Sequence, residues 1–537
     1  MEDKRKRTFV ITGLLLGLFF SSLDQTVVGT AMPTIVGKLG NIELLTWITT
    51  AYLLSSTTVV PIAGKLADLF GRRTLYMLGM AIFILGSALC GMADSMMQLT
   101  IFRGIQGIGG GMLMPLALTI IGDITTGESR AKMQGLFMSV FGLSSIIGPP
   151  AGGWIVDHWS WEWIFYINLP FGVIAAIFIA IGLKGDHVKK KVVIDWGGIF
   201  TLIIGVVSLL LALSLGGREY EWNSGQIIAL FLAAVVGLLS FVLIELRAKD
   251  PILSMSFFKN RTFTIINLIG FLMSLGMFGA ITFIPFLMQG VVGLSATQAS
   301  TVMTPMMIGS IAASLIGSRL LTKVSVRPML ITGLLVMTLG FVLFAQLGED
   351  ASRTIASIDM VVLGIGMGLI MPLLSIVVQE AFPAEVRGTV TSATAFFRSI
   401  GGTVGIALLG AVFNSKSAQG IGTKLDAIFT GFGEQGKHMI DLAHNNPQGL
   451  FASLFNAETL KQMPDAVRPI FEQQVIPVLK TSMLGALHTV FHTGIIFTLA
   501  GILIALFIGK LRVTGMMGKK QEAATKEAAT QEAAPQP

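Results

Sequence analysis

Fourteen runs of about twenty apolar residues divide this chain, each long enough to cross ~30 Å of hydrocarbon as a helix. A backbone inside hydrocarbon finds no water to bond, so such runs fold as helices or as a closed barrel. The alternating ten-residue segments of a barrel are absent, which predicts an all-α integral membrane protein. Composition agrees, since only 12% of the residues are charged against about 25% in soluble proteins. The net charge of +7 reads as basic loops on one side of a membrane, and no nucleic-acid partner is expected. With the N-terminus inside, cytoplasmic segments hold 26 of the 37 Lys and Arg, so both termini are placed in the cytoplasm and the protein in the plasma membrane. Lys4–Arg7 before the first run has the look of a signal peptide, but no clear small-residue cleavage site follows, and the run reads as an uncleaved span. The one cysteine, Cys90, lies in a span and excludes an intrachain disulfide.

The chain also repeats itself. GIGGGMLMPL at Gly107–Leu116 returns 257 residues later as GIGMGLIMPL at Gly364–Leu373. At that offset Pro115 matches Pro372, Arg130 matches Arg387, Gly148 matches Gly405 and Gly153 matches Gly410. An ungapped match over some fifty residues in so apolar a chain is the mark of a duplicated half, as in secondary transporters. The fourth and fifth spans recur as the twelfth and thirteenth. The expected organisation is a six-helix bundle over 1–183, a linker with two extra helices over 184–254, five helices of a second bundle over 255–413, an outer segment over 414–480 with short amphipathic helices, a last span over 481–512 and a low-complexity cytoplasmic tail over 513–537.

Several stretches carry more than apolar surface. Gly64–Arg73 reads GKLADLFGRR between the second and third spans: Gly64 and Gly71 permit close approach and a tight turn, and Asp68 can accept bonds at a helix N-terminus or pair with Arg72 or Arg73. Inside the fifth span, Pro149 and Pro150 remove backbone donors, while Gly148 and Gly152 give a flat face for a neighbouring helix, followed by Gly153. Asp24 and Arg103 lie well inside their spans at similar depth, where an exposed charge costs about 2.5–3.5 kcal/mol; each therefore needs a partner or a cavity. Asp359 and Arg398 are their candidate counterparts in the second half, with interfacial or purely structural roles as the alternatives. His488 and His492 have a metal-compatible i, i+4 spacing but no obvious third ligand, so no metal is expected. The sequence lacks a phosphate-binding G-x-x-x-x-G-K-[ST] motif and any hydrolytic constellation, so neither ATP-driven transport nor an enzyme is expected.

Taken together, GKLADLFGRR, RGIQGIGGG, GPPAGG, LDQTVVGTAMP, WITTAYLL and WIFYINLPFG resemble the signatures of the fourteen-helix drug:proton antiporters of the major facilitator superfamily. Gly29 stands where many members have Asn, Glu162 where Arg is common, and the second-half counterpart of the loop signature, GSRLLTKVSVRP, is degenerate. The resemblance implies two six-helix bundles rocking about a central cavity. It implies proton-driven export of hydrophobic or cationic drugs, the proton gradient taking the place of a cofactor. It implies roles too: Asp24 for protonation or substrate, Arg103 for coupling, Asp68 with Arg72 for stabilising one state, and Gly148–Gly153 for movement of the fifth helix. Gln25, Tyr52, Asp359 and Arg398 are the candidate cavity residues. A monomer surrounded by membrane lipids is expected. Export or flipping of an endogenous lipid or other amphiphile is the alternative function, and a non-transporting membrane sensor a third.

Overall fold

The computed structural model describes residues 2–509 except 41–43, 126, 184–192, 218, 293, 295–300, 322, 350, 431–472 and 474. In chain order the helices of the first half are α1 (Glu2–Leu39), α2 (Leu45–Phe70), α3 (Arg72–Gly91), α4 (Met96–Ile124), α5 (Gly127–His158) and α6 (Trp163–Gly182). Two helices follow, α7 (Trp196–Leu215) and α8 (Gly225–Glu245). The second half comprises α9 (Arg261–Phe286), α10 (Thr304–Leu320), α11 (Val326–Phe344), α12 (Arg353–Ala381), α13 (Arg387–Thr430) and α14 (Ile476–Ala505). Local chemistry sets several starts. Ser95, Asp195, Ser224, Asn260 and Ser352 each cap a first turn by accepting from a backbone N–H two or three residues on.

Among the described residues thirteen helices are long and apolar enough to span a membrane. The fourteenth, α10, has a shorter apolar part, Thr304–Gly317; the start of the span expected at 297–317 falls outside the described residues. The thirteenth span, expected to end near residue 413, instead continues as one helix to Thr430, because no proline or turn chemistry interrupts it. The amphipathic helices expected across 414–480 lie mostly outside the described residues, as does the tail.

The duplication is visible in the packing. In the first half α1 packs on α5 and α6, α2 on α4, and α3 on α4 and α6. In the second, α9 packs on α13 and α14, α10 on α12, and α11 on α12 and α14, which is the same set of pairings. The repeated glycines explain why. A Cβ at Gly107 would stand 2.6 Å from the Tyr52 carbonyl oxygen, and one at Gly364 would stand 2.0 Å from that of Met306, so both make backbone contacts that larger residues exclude. The halves meet along two related seams, α2 with α13 and α5 with α10. The extra helices α7 and α8 pack on each other, and α7 leans on the α2–α13 seam.

Candidate functional site

Asp24 and Arg103 do find each other. Arg103 Nη1 donates to Asp24 Oδ2 at 2.5 Å, joining α4 to α1, and the two residues are only 1% and 2% exposed. The other Asp24 oxygen accepts from Gln106 Nε2 and Asn168 Nδ2, both at 2.9 Å, and those amides also donate to Ser87 Oγ. Tyr52 lies beneath the arginine, its ring centre 4.3 Å from the guanidinium carbon. A carboxylate and a guanidinium are tolerated in such an interior because their charges cancel and amides occupy the remaining lone pairs. In this state neither group faces open space. Gln106 and Asn168 were not singled out from sequence; polar residues inside RGIQGIGGG and WIFYINLPFG were the available signal.

A second cluster closes the end of the molecule that carries the α2–α3 loop. Gly71, with φ of 91°, makes the sharp α2–α3 turn in a conformation that side chains disfavour. Asp68 does sit at a helix N-terminus, but that of α13 in the other half: it accepts from Gly388 N at 3.0 Å, Thr389 N at 2.7 Å and Thr389 Oγ1 at 2.8 Å. Gly64 lets α2 approach so closely that a Cβ there would lie 2.6 Å from the Gly388 carbonyl. Arg72 also crosses, donating to the Ala384 carbonyl at 2.6 Å and standing 2.8 Å from Asp123. Arg73 does not join the cluster; it donates to the Ala180 carbonyl within its own half.

The strongest cross-links at this end follow the repeat offset. Asp123 and Glu380 are 257 residues apart, as are Arg130 and Arg387, and the pairs are exchanged between halves. Arg387 bonds Asp123 at 3.2 Å, while Arg130 bonds Glu380 in a buried pair. Gln379 adds a bond to the Leu118 carbonyl across the seam. Sequence reading matched the two arginines but missed both acids, although the same offset relates them.

At the opposite end the halves part around a cavity of about 460 Å³. Its walls come from α1, α2, α7, α9 and α13, with Thr49, Thr50, Ser214, Thr282, Thr403 and Asn414 among apolar neighbours and no charged lining residue. Asn414 is one of the lining residues, and its Oδ1 is enclosed without a hydrogen-bond partner. None of the four expected cavity residues lines it. Gln25 lies exposed on α1, Tyr52 is covered by Arg103, Asp359 is buried on α12 with one oxygen unbonded, and Arg398 on α13 donates to Met371 Sδ at 3.4 Å.

The α5 motif divides. A Cβ on Gly148 would lie 1.9 Å from Thr26 Oγ1 of α1, whereas one on Gly153 would meet nothing within 4 Å. Gly152 is buried, and α5 runs through Pro149 and Pro150 as one helix. His488 bonds the Leu347 carbonyl.

Known proteins share this architecture. The sequence profile of the Major Facilitator Superfamily matches residues 14–406. Multidrug transporter protein MdtP of Bacillus subtilis (strain 168) is 53% identical over 528 residues, covering 97% of this chain and 96% of that protein. Multidrug resistance protein 3 of the same organism is 39% identical over 516 residues, covering 95% and 97%. The crystal structure of the human organic anion transporter MFSD10 (TETRAN) aligns with a TM-score of 0.59 over 93% of this chain and 99% of that one, at 15% identity, a likeness of fold alone. Duplicated six-helix halves, the matching profile and near full-length relatives agree: this chain is a multi-pass membrane transporter, not an enzyme, and belongs to the Major Facilitator Superfamily.

Proposed function

We propose that this protein is a proton-driven antiporter that exports hydrophobic small molecules from the cytoplasm across the plasma membrane. The observation that carries this reading is one seam in two conditions. Ion pairs and a helix cap join the halves at the α2–α3 end, while the same halves part around a cavity at the other. That is one state of an alternating-access cycle, with the closed end cytoplasmic and both termini on that side, as the loop charges favour. In the opposite state the cross-half bonds break and substrate enters from the cytoplasm.

Asp24 is the proposed proton carrier. Protonation would free Arg103, and the released carboxyl is where a cationic drug would compete with the proton. One charge moved through ~100 mV supplies about 2.3 kcal/mol, enough to bias such an exchange. The names of the two Bacillus relatives support drugs as cargo. The protein is proposed to act as a monomer, its exposed apolar faces covered by lipid.

Flipping of an endogenous amphiphile is the second reading. It is favoured by the cavity's border on α7, one of the two helices outside the six-helix halves, through Leu210, Leu213 and Ser214. Purified protein in liposomes with an imposed pH gradient tests both readings. Uphill, gradient-dependent drug uptake supports the first, lipid translocation without drug flux supports the second, and no flux of either kind leaves the sensor.

A further inference from the structure

Among the described residues two arginines lie well inside the spans, and only one of them has a counter-ion. Arg103 is answered by Asp24 across the packed α1–α4 cleft. The repeat equivalent of that cleft lies between α9 and α12, which also pack together. Arg398, on α13, borders that cleft. It touches Met371 of α12 and stands one turn before Gly401 and Gly402, which pack on Phe271 and Phe278 of α9. It is eleven residues from the start of α13, hence about 16 Å deep.

No acid reaches it. The helices α9, α10, α11 and α14 contain no Asp or Glu, and neither does α13 before residue 414. On α12, Asp359 is twelve residues from Met371 and Glu380 is nine, or about 18 Å and 14 Å along the axis, and Glu380 is taken by Arg130. From the first half, Asp24 is held by Arg103, and Asp68 and Asp123 are engaged at the closed end. Among the described residues Arg398 forms no ion pair. It is only partly buried, and its Nε and Nη2 are not among the enclosed unbonded atoms, so two donors remain open.

We infer that Arg398 binds the acid group of an amphiphilic substrate, so that the protein recognises monoanionic amphiphiles as well as neutral ones. This rests on the reading of the protein as an exporter of hydrophobic small molecules. The physical reason is the fork of the guanidinium, which matches two oxygens of a carboxylate, sulfonate or phosphate, and a surrounding of Met and Phe that suits the apolar body. In this state the first half does not offer this, because Arg103 is paired with Asp24.

The test is binding without any gradient, on full-length protein in phosphatidylcholine nanodiscs. The probes are a dansyl-labelled alkyl sulfonate and the alcohol of the same chain length. Wild type should bind the sulfonate at least about tenfold more tightly than the alcohol, the usual range for a charge-assisted bond. Arg398→Gln should remove that preference while alcohol binding, the check on folding, is retained. Arg398→His should regain the preference below about pH 6.5 and lose it above, as imidazole titrates and the sulfonate does not. Equal affinities in wild type, a preference surviving in Arg398→Gln, or no pH dependence in Arg398→His would each overturn the assignment. Adding phosphatidylglycerol separates the two sources of an anion. Unchanged sulfonate affinity supports a substrate site, and competition gives the site to a lipid headgroup instead and overturns the substrate assignment. If proton-driven export fails while the sulfonate preference stands, the coupling reading falls and this one does not.

Discussion

Glu380→Gln should open the closed end. Arg130 and Glu380 form a pair whose side chains are 4% and 3% exposed, so removing the acid leaves a guanidinium enclosed without its counter-charge. Breaking a buried pair on one side costs about 3–5 kcal/mol. The low end applies here, because Arg130 keeps its bonds to the Thr125 and Gly122 carbonyls. The cost falls only on the state in which the halves meet, so about 3 kcal/mol becomes a shift of roughly 10²-fold toward the open state. Asp123→Asn at the sister pair is the control. Its partners are 14% and 22% exposed, so water screens this pair more than the buried one and the shift should be smaller, under about tenfold. The reporter is Ser392→Cys, in the seam against Gly64, alkylated by an impermeant maleimide from the α2–α3 side. The native Cys90 is buried and gives little background. Alkylation rate follows the open population. A rate unchanged by Glu380→Gln, or raised more by Asp123→Asn, would refute the view that burial of the pair sets its strength.

Three further outcomes follow from the geometry. Asp24→Asn should lower Tm and abolish uphill export, since it strands Arg103 in the interior; a normal Tm with normal export would show the pair to be idle. Asp68→Asn should leave folding intact but slow turnover, because it weakens the cap on α13 in one state only, and wild-type flux from a well-expressed variant would dismiss that role. Gly148→Leu should abolish export by pushing α5 off Thr26, while Gly153→Ala should be tolerated; the reverse ranking would contradict the contact geometry.

The helices were legible because apolar length is written locally; their ends were not, as α1, α2, α5, α13 and α14 each run several residues beyond the apolar core of the span. The Asp24–Arg103 contact was also legible, since two charges at one depth in hydrocarbon need each other. Which helix Asp68 caps was not, because that depends on how the halves dock rather than on its own loop. Arg73 shows the same limit: nothing in GRR tells which arginine crosses the seam and which turns back to Ala180. The cavity threonines escaped notice for another reason. Thr282 and Thr403 bond the carbonyl four residues back, so a helix carries them without disturbing its apolar pattern.

Duplication supplies the seam, and divergence makes its two sides unequal. On the α2–α13 side Asp68 caps a helix of the opposite half, and the accompanying Asp123–Arg387 pair is partly exposed. On the α5–α10 side the loop signature has decayed to GSRLLTKVSVRP, with no acid to cap α5, and there the Arg130–Glu380 pair is buried. Where the cap is absent, the pair is buried instead, so losing either partner there strands an enclosed charge. Water reaches the Asp123–Arg387 pair more readily than the Arg130–Glu380 pair, whereas Asp68 itself is enclosed against the start of α13. The deeper pair then sets how far the halves remain committed to the closed state. The interior charges diverge in the same way, neutralised in the first half and left open at Arg398 in the second. A transporter built from two equal halves would have no reason to treat proton and substrate differently; on the proposed reading, the proton falls to the half in which the charge is answered and the substrate acid to the half in which it is not.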